Sequence, residues 1–105
     1  MPAVARANGR DSVFSRTGAG RRCGSAMTTS TGPSSGTVYV NNTLLVVEGD
    51  TVGLHPRAGC APDVSTLSTF SFTVFANSGK RVGRIGDQYT PDNTITSGSE
   101  NVFCG

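Results

Sequence analysis

The stretch TVYVNNTLLVVEGD, Thr37 to Asp50, decides how the chain is read. It opens on a short run of β-branched and aromatic residues and breaks at Asn41-Asn42-Thr43. It then resumes with Leu and Val and stops at Gly49-Asp50. Valine and tyrosine fit a pleated, half-buried strand. Asparagine tolerates positive φ, so the break reads as a hairpin turn. A second stretch, TVFANSGKRVGRIGD from Thr73 to Asp87, follows the same plan, with Asn77-Ser78-Gly79 at its turn and Gly86-Asp87 at its end. It is one residue longer, an excess that a bulge or longer loop absorbs.

The C-terminal NVFCG, Asn101 to Gly105, matches the first strand of both copies, but no second strand follows it. The N-terminal PAVARANGRD, Pro2 to Asp11, resembles KRVGRIGD, Lys80 to Asp87, with Asn8-Gly9-Arg10 in place of a clean Gly-Asp. The expected fold is mostly β: three short hairpins in a pseudo-threefold arrangement, the third closed by the two termini. Each unit must pack on the next to bury its apolar face. The repeats run over about 37–50, 73–87, and 101–105 with 2–11, inside a single domain spanning 1–105. Chance likeness between short Val-rich hairpins is the competing account, and a third copy split across the termini weighs against it.

Composition agrees with strands and turns. Glycine occurs 14 times, tryptophan is absent, and Val outnumbers Leu. A core of this size is small and gains from a metal or disulfide staple. The net charge is +2, and Arg6, Arg10, Arg16, Arg21 and Arg22 are scattered without interleaved aromatics, so no nucleic-acid partner is expected. No segment approaches the roughly 20 apolar residues of a membrane span. MPAVARANGRD lacks the apolar region of a signal peptide. A soluble chain made in a cytoplasm is therefore expected. There an odd number of cysteines points to metal ligands or free thiols. GAGRRCGSAMTTSTGPSSG and GLHPRAGCAPDVSTLSTFS carry no helical period and read as ordered loops with one short strand each. Loops this long need tethering.

The tether is legible as a count. The chain has one histidine, His55, and three cysteines, Cys23, Cys60 and Cys104. Together they make the four ligands of a closed tetrahedral site. His55 and Cys60 share the tight loop HPRAGC. Thiolates and imidazole suit one zinc ion best, with iron as the alternative. Competing accounts are a surface histidine with thiols that pack as small hydrophobes, or a single disulfide with one free thiol. A Cys60–His55 pair could also serve nucleophilic catalysis. No nucleophile motif surrounds it, acidic residues are few, and four protein ligands leave a metal no open position. The chain is therefore not expected to be an enzyme or to take a small-molecule substrate.

Pro2-Ala3-Val4-Ala5-Arg6, with SGTVYVNN, FTVFANSGKRVGRIGD and SGSENVFCG, resembles the PAAR-repeat proteins over nearly the whole chain. The resemblance implies a small conical domain with a metal near its apex. It also implies a partner, a trimeric β-helical spike whose blunt end takes one tip per three chains. The implied function is structural: to cap and sharpen the central spike of a phage baseplate for piercing the target envelope, with transient contact to the target-cell membrane. The implied location is the virion tail tip, after synthesis in the host cytoplasm. A type VI secretion spike tip, exported from a bacterial cytoplasm, is the alternative, and a secreted β-rich binding domain the lesser one. The short chain, without room for an effector, favours the baseplate. The family's metal is commonly held by mostly histidines with one cysteine. This chain inverts that balance, so its ligand set rests on its own count. Spike-contact candidates are Val38, Val40, Val74, Phe75, Val102 and Phe103, of which alternation puts only one parity on each face.

Elemental analysis of the purified protein should find about one tightly held metal per chain, with thiols protected from alkylation until a chelator is added. A reactive, metal-free Cys60 would sink the metal site.

Overall fold

The turn residues of the first hairpin adopt the backbone their chemistry permits. In the computed structural model, Asn41 and Asn42 lie at φ 52° and 64°, the two positive values that a tight type I′ turn requires. Strand β3 (Tyr39–Val40) therefore pairs directly with β4 (Thr43–Leu44), with Tyr39 opposite Leu44 and Val40 opposite Thr43. Thr43, assigned to the turn from sequence, begins the second strand. The structure describes residues 1–15, 27–53, 65–76, 79–89 and 93–105. The expected turn residues Asn77 and Ser78 lie outside them.

The same pairing recurs at two other places. Phe75 faces Arg81 across an antiparallel bridge, and Ala3 faces Phe103. The Leu45, Val82 and Val4 amides donate to the carbonyls of Val38, Val74 and Val102 at 3.0, 3.2 and 3.0 Å. The Cys104 amide donates to the Pro2 carbonyl at 3.0 Å. The last strand of the chain thus finds its partner in the first residues.

The second halves of these pairs then bond to one another in a closed cycle. The Ala5 amide donates to the Gly83 carbonyl (3.0 Å), Gly83 to Val46 (2.8 Å), and Val46 back to Ala5 (3.0 Å). One tier away, Ala7 donates to Leu44, Glu48 to Arg81, and Ile85 to Ala3, at 2.8, 2.8 and 2.9 Å. Each segment gives and receives the same bonds, which satisfies backbone groups that burial would otherwise leave unpaired. The centre has little room. A Cβ at Gly83 would stand 3.0 Å from both Val46 Cγ1 and Leu67 Cδ2, whereas the cycle positions Ala5 and Val46 carry side chains.

Each second half ends at a buried aspartate: Asp11, Asp50 or Asp87. Their Oδ2 atoms accept the backbone amides of Arg6, Val47 and Arg84 at 2.6, 2.9 and 2.8 Å. Their Oδ1 atoms accept hydroxyls from Ser97, Ser35 and Thr69 at 3.0, 2.7 and 3.2 Å. In two copies the arginine side chain adds an ion pair, Arg6–Asp11 at 2.8 Å and Arg84–Asp87 at 3.0 Å. Valine replaces arginine in the third copy, and there the Ser35 amide supplies an extra donor to Asp50 at 2.9 Å. The aspartate carbonyls carry the chain onward, accepting from the Thr31, Leu67 and Ile95 amides.

Beyond the aspartates, β1 (Ser12–Ser15), β2 (Met27–Ser30), β5 (Gln88–Tyr89) and β6 (Asn93–Ile95) form an antiparallel sheet in the order β2-β1-β6-β5. β2 falls in the first long loop expected to hold a strand. β1, β5 and β6 were not anticipated. Apolar side chains collect in two clusters. One contains Ala5, Val13, Val46, Val52, Leu67, Tyr89 and Ile95. The other lies among the hairpins, with Val4, Val40, Leu45, Val47, Val82 and Cys104. The fold is mostly β, as expected. Among the described residues no α-helix occurs, so none is long and apolar enough to cross a membrane.

Burial pushes the Asp11 carboxyl up, but hydrogen bonds from the Arg6 side chain and amide and from Ser97 outweigh it, and the group sits below the ordinary aspartate value of 3.8. Its stabilisation is therefore present above that value and lost as pH falls through the depressed one. Asp11→Asn should lower unfolding free energy at neutral pH by about 1.5–3 kcal/mol. It should also flatten the dependence of stability on pH in the acid range, as read by denaturant titration.

Candidate partner-docking face

Strand alternation divides the three hairpins into an inner and an outer set. Val40, Ala76 and Cys104 hold matching positions and pack in the hairpin cluster. The residues just before them, Tyr39, Phe75 and Phe103, turn outward and are 66%, 52% and 49% exposed. Their cross-strand neighbours Leu44, Arg81 and Ala3 stand directly opposite, and opposite residues share a face. Three aromatic residues thus project from three matching hairpins of one chain. Exposed aromatics at this density mark an interaction surface more often than they mark idle surface.

Each hairpin is tied to the segment leading into the next, which fixes the backbone that carries these aromatics. The Asn41 side chain donates to Asn101 Oδ1 at 2.9 Å and accepts from Ser99 Oγ at 2.6 Å. Lys80 Nζ donates to Ser35 Oγ at 2.8 Å. The Ser71 hydroxyl donates to the Gly105 carbonyl. Ser71 and Ser99 also accept the Val74 and Val102 amides at 2.9 and 3.0 Å, which bends the chain into each strand.

The sequence candidates for this face separate on that geometry. Phe75 and Phe103 are outward. Val40 is 8% exposed and belongs to the core, Val74 and Val102 are partly buried against it, and Val38 is 39% exposed. Tyr39 was absent from the sequence candidates, although its alignment with Phe75 and Phe103 was the signal that could have found it. Phe75 also has a charged companion. The Arg81 guanidinium carbon lies 5.4 Å from the Phe75 ring centre and 5.6 Å from that of Phe70.

Of the proposed metal ligands, Cys23, His55 and Cys60 lie outside the described residues. Among the described residues, no group of three or more His, Cys, Asp or Glu is arranged to hold a metal. Cys104 is buried with Val4, Val40, Leu45 and Val82. Burial pushes its thiol up, Arg84 draws it down, Asp87 raises it, and the net shift is upward. Val13 and Val52, which precede the segments bearing Cys23 and His55–Cys60, belong to the other apolar cluster.

No family model matches the chain, and no curated protein matches it in sequence.

Cys104 fills the place that Val40 and Ala76 fill in the other hairpins, so Cys104→Val should keep both the melting temperature and any bound metal. Cys104→Ser, which buries a hydroxyl among aliphatic groups, should cost about 1–3 kcal/mol. Loss of metal from the valine variant would instead return Cys104 to the ligand set.

Proposed function

We propose that this protein is the structural tip of a contractile injection machine, seated on the blunt end of a trimeric β-helical spike. The observation that carries the proposal is the cyclic bonding of three chain segments, which lets a single polypeptide offer three matching hairpins to a partner made of three chains. A monomer that caps a trimer faces a symmetry mismatch, because each of three identical chain ends needs its own contact. A pseudo-threefold chain resolves it. Tyr39, Phe75 and Phe103 are the residues proposed to bury against the spike. Each aromatic brings a large contact area at small conformational cost.

The role is mechanical. Sheath contraction drives the spike, and the small conical PAAR-like domain meets the target membrane first. Nothing in this role requires chemistry, and the chain is read as a non-enzyme. A closed cycle of main-chain bonds resists shear better than an open sheet, because no edge strand is left to peel away. A metal ion, zinc first and iron second, is proposed to tether the long loops through Cys23, His55 and Cys60. Cys104 is assigned to packing. The proposed setting is a phage baseplate. A type VI secretion spike is the second setting, built on the same docking face.

Mixing the protein with the trimeric spike encoded in its gene neighbourhood should give a complex of one tip per three spike chains by light scattering. Phe103→Ser should weaken it while leaving the melting temperature nearly unchanged, because Phe103 is half exposed. Failure to bind any such spike would overturn the proposal.

A further inference from the structure

The three outward pairs of the docking face are Tyr39–Leu44, Phe75–Arg81 and Phe103–Ala3. Two of them are wholly uncharged, and the third carries an arginine. Arg81 is held in an unusual state. Its guanidinium lies between the Phe70 and Phe75 rings at 5.6 and 5.4 Å. Its Nε is buried without a hydrogen-bond partner. Among the described residues, the ion pairs join Arg6 to Asp11 and Arg84 to Asp87, and none involves Arg81. The nearby Glu48 carboxylate is engaged by the Arg81 backbone amide at 2.9 Å.

A planar cation stacked between two rings has already given up much of its side-chain freedom, and its edge donors remain to be used. Leaving a buried donor unpaired is costly, so this arrangement suits a partner that supplies the acceptor. We infer that Arg81 is the charged anchor of the docking face and takes a carboxylate from the spike end. This assignment rests on the docking face proposed above. It adds a consequence that the aromatic triad lacks. A trimer presents the same carboxylate three times, and the tip answers only one of them, since the other two matching positions are Leu44 and Ala3. The tip therefore seats in three equivalent rotations, each with one charged contact and two apolar ones.

Binding of the full chain to the trimeric spike encoded in its gene neighbourhood tests the anchor. Arg81→Leu copies the residue at the matching Leu44 position. It should weaken binding by about 30-fold, the effect of a hot-spot residue. It should also remove most of the salt dependence of affinity between about 0.05 and 0.5 M. Arg81→Lys keeps the charge but not the planar stack and should fall between the two. Melting temperatures measured in parallel identify any loss due to folding, and Arg81→Lys should stay close to the parent. An Arg81→Leu protein that binds as tightly as the parent, with the same salt dependence, overturns the anchor while leaving the docking face intact. If the parent protein does not bind, the docking face fails and the anchor with it. If Phe103→Ser weakens binding without changing the salt dependence, apolar and charged contributions are separate, as expected.

Discussion

A closed triangle of main-chain hydrogen bonds between Ala5, Val46 and Gly83 governs this molecule. Three segments far apart in sequence meet there, and each gives one amide and takes one carbonyl. A ladder of strands ends in two open edges, but a cycle has none. The cost is steric, since three backbones converge where side chains have little room. Glycine stands at one cycle position, alanine at another, and only Val46 fills the centre. Closure also demands that the N-terminal segment be one side of the triangle. That is why the first residues of the chain pair with the last, Ala3 with Phe103.

The aspartates follow from the same constraint. Each segment leaves the triangle by a sharp turn, and a buried carboxylate collects the amides and hydroxyls that the turn exposes. Positive φ at Gly49 and Gly86 lets two of these turns close tightly. The first copy makes its turn with Asn8 and Gly9, both at positive φ, which accounts for its two extra residues. Where the helper arginine is absent, at Val47, the serine Ser35 moves in to satisfy Asp50. The three copies thus keep one hydrogen-bonding plan while their sequences differ. What is kept is the satisfaction of buried polar groups.

The proposed function grows from the outer surface of that frame. Rigid hairpins, each latched to the next segment, hold three aromatics on ordered backbone. An interface built this way loses little conformational entropy on docking. The departure from threefold equivalence at Arg81 matters for the same reason: a pre-stacked cation on an otherwise apolar face is a point of discrimination as well as of attachment.

The sequence by itself determined the local pieces. Asn41-Asn42 could only be a tight turn with positive φ, and the repeated Val-aromatic frame marked three strands, including the one at the C-terminus. Pairing of the two termini was legible because both halves of a known repeat were visible at opposite ends. Tertiary structure decided the rest. Alternation gave two parities but not which one met the core. Packing against Val4, Leu45 and Val82 turned Val40 and Cys104 inward and left Tyr39, Phe75 and Phe103 outside. The strands at 12–15, 88–89 and 93–95 were hidden because they are short and polar on one face. They exist through pairing with each other, not through propensity. Cys104 looked like a ligand by count and sits in the core by place. Residue type fixes what a side chain can do, and only its neighbours decide which of those things it does.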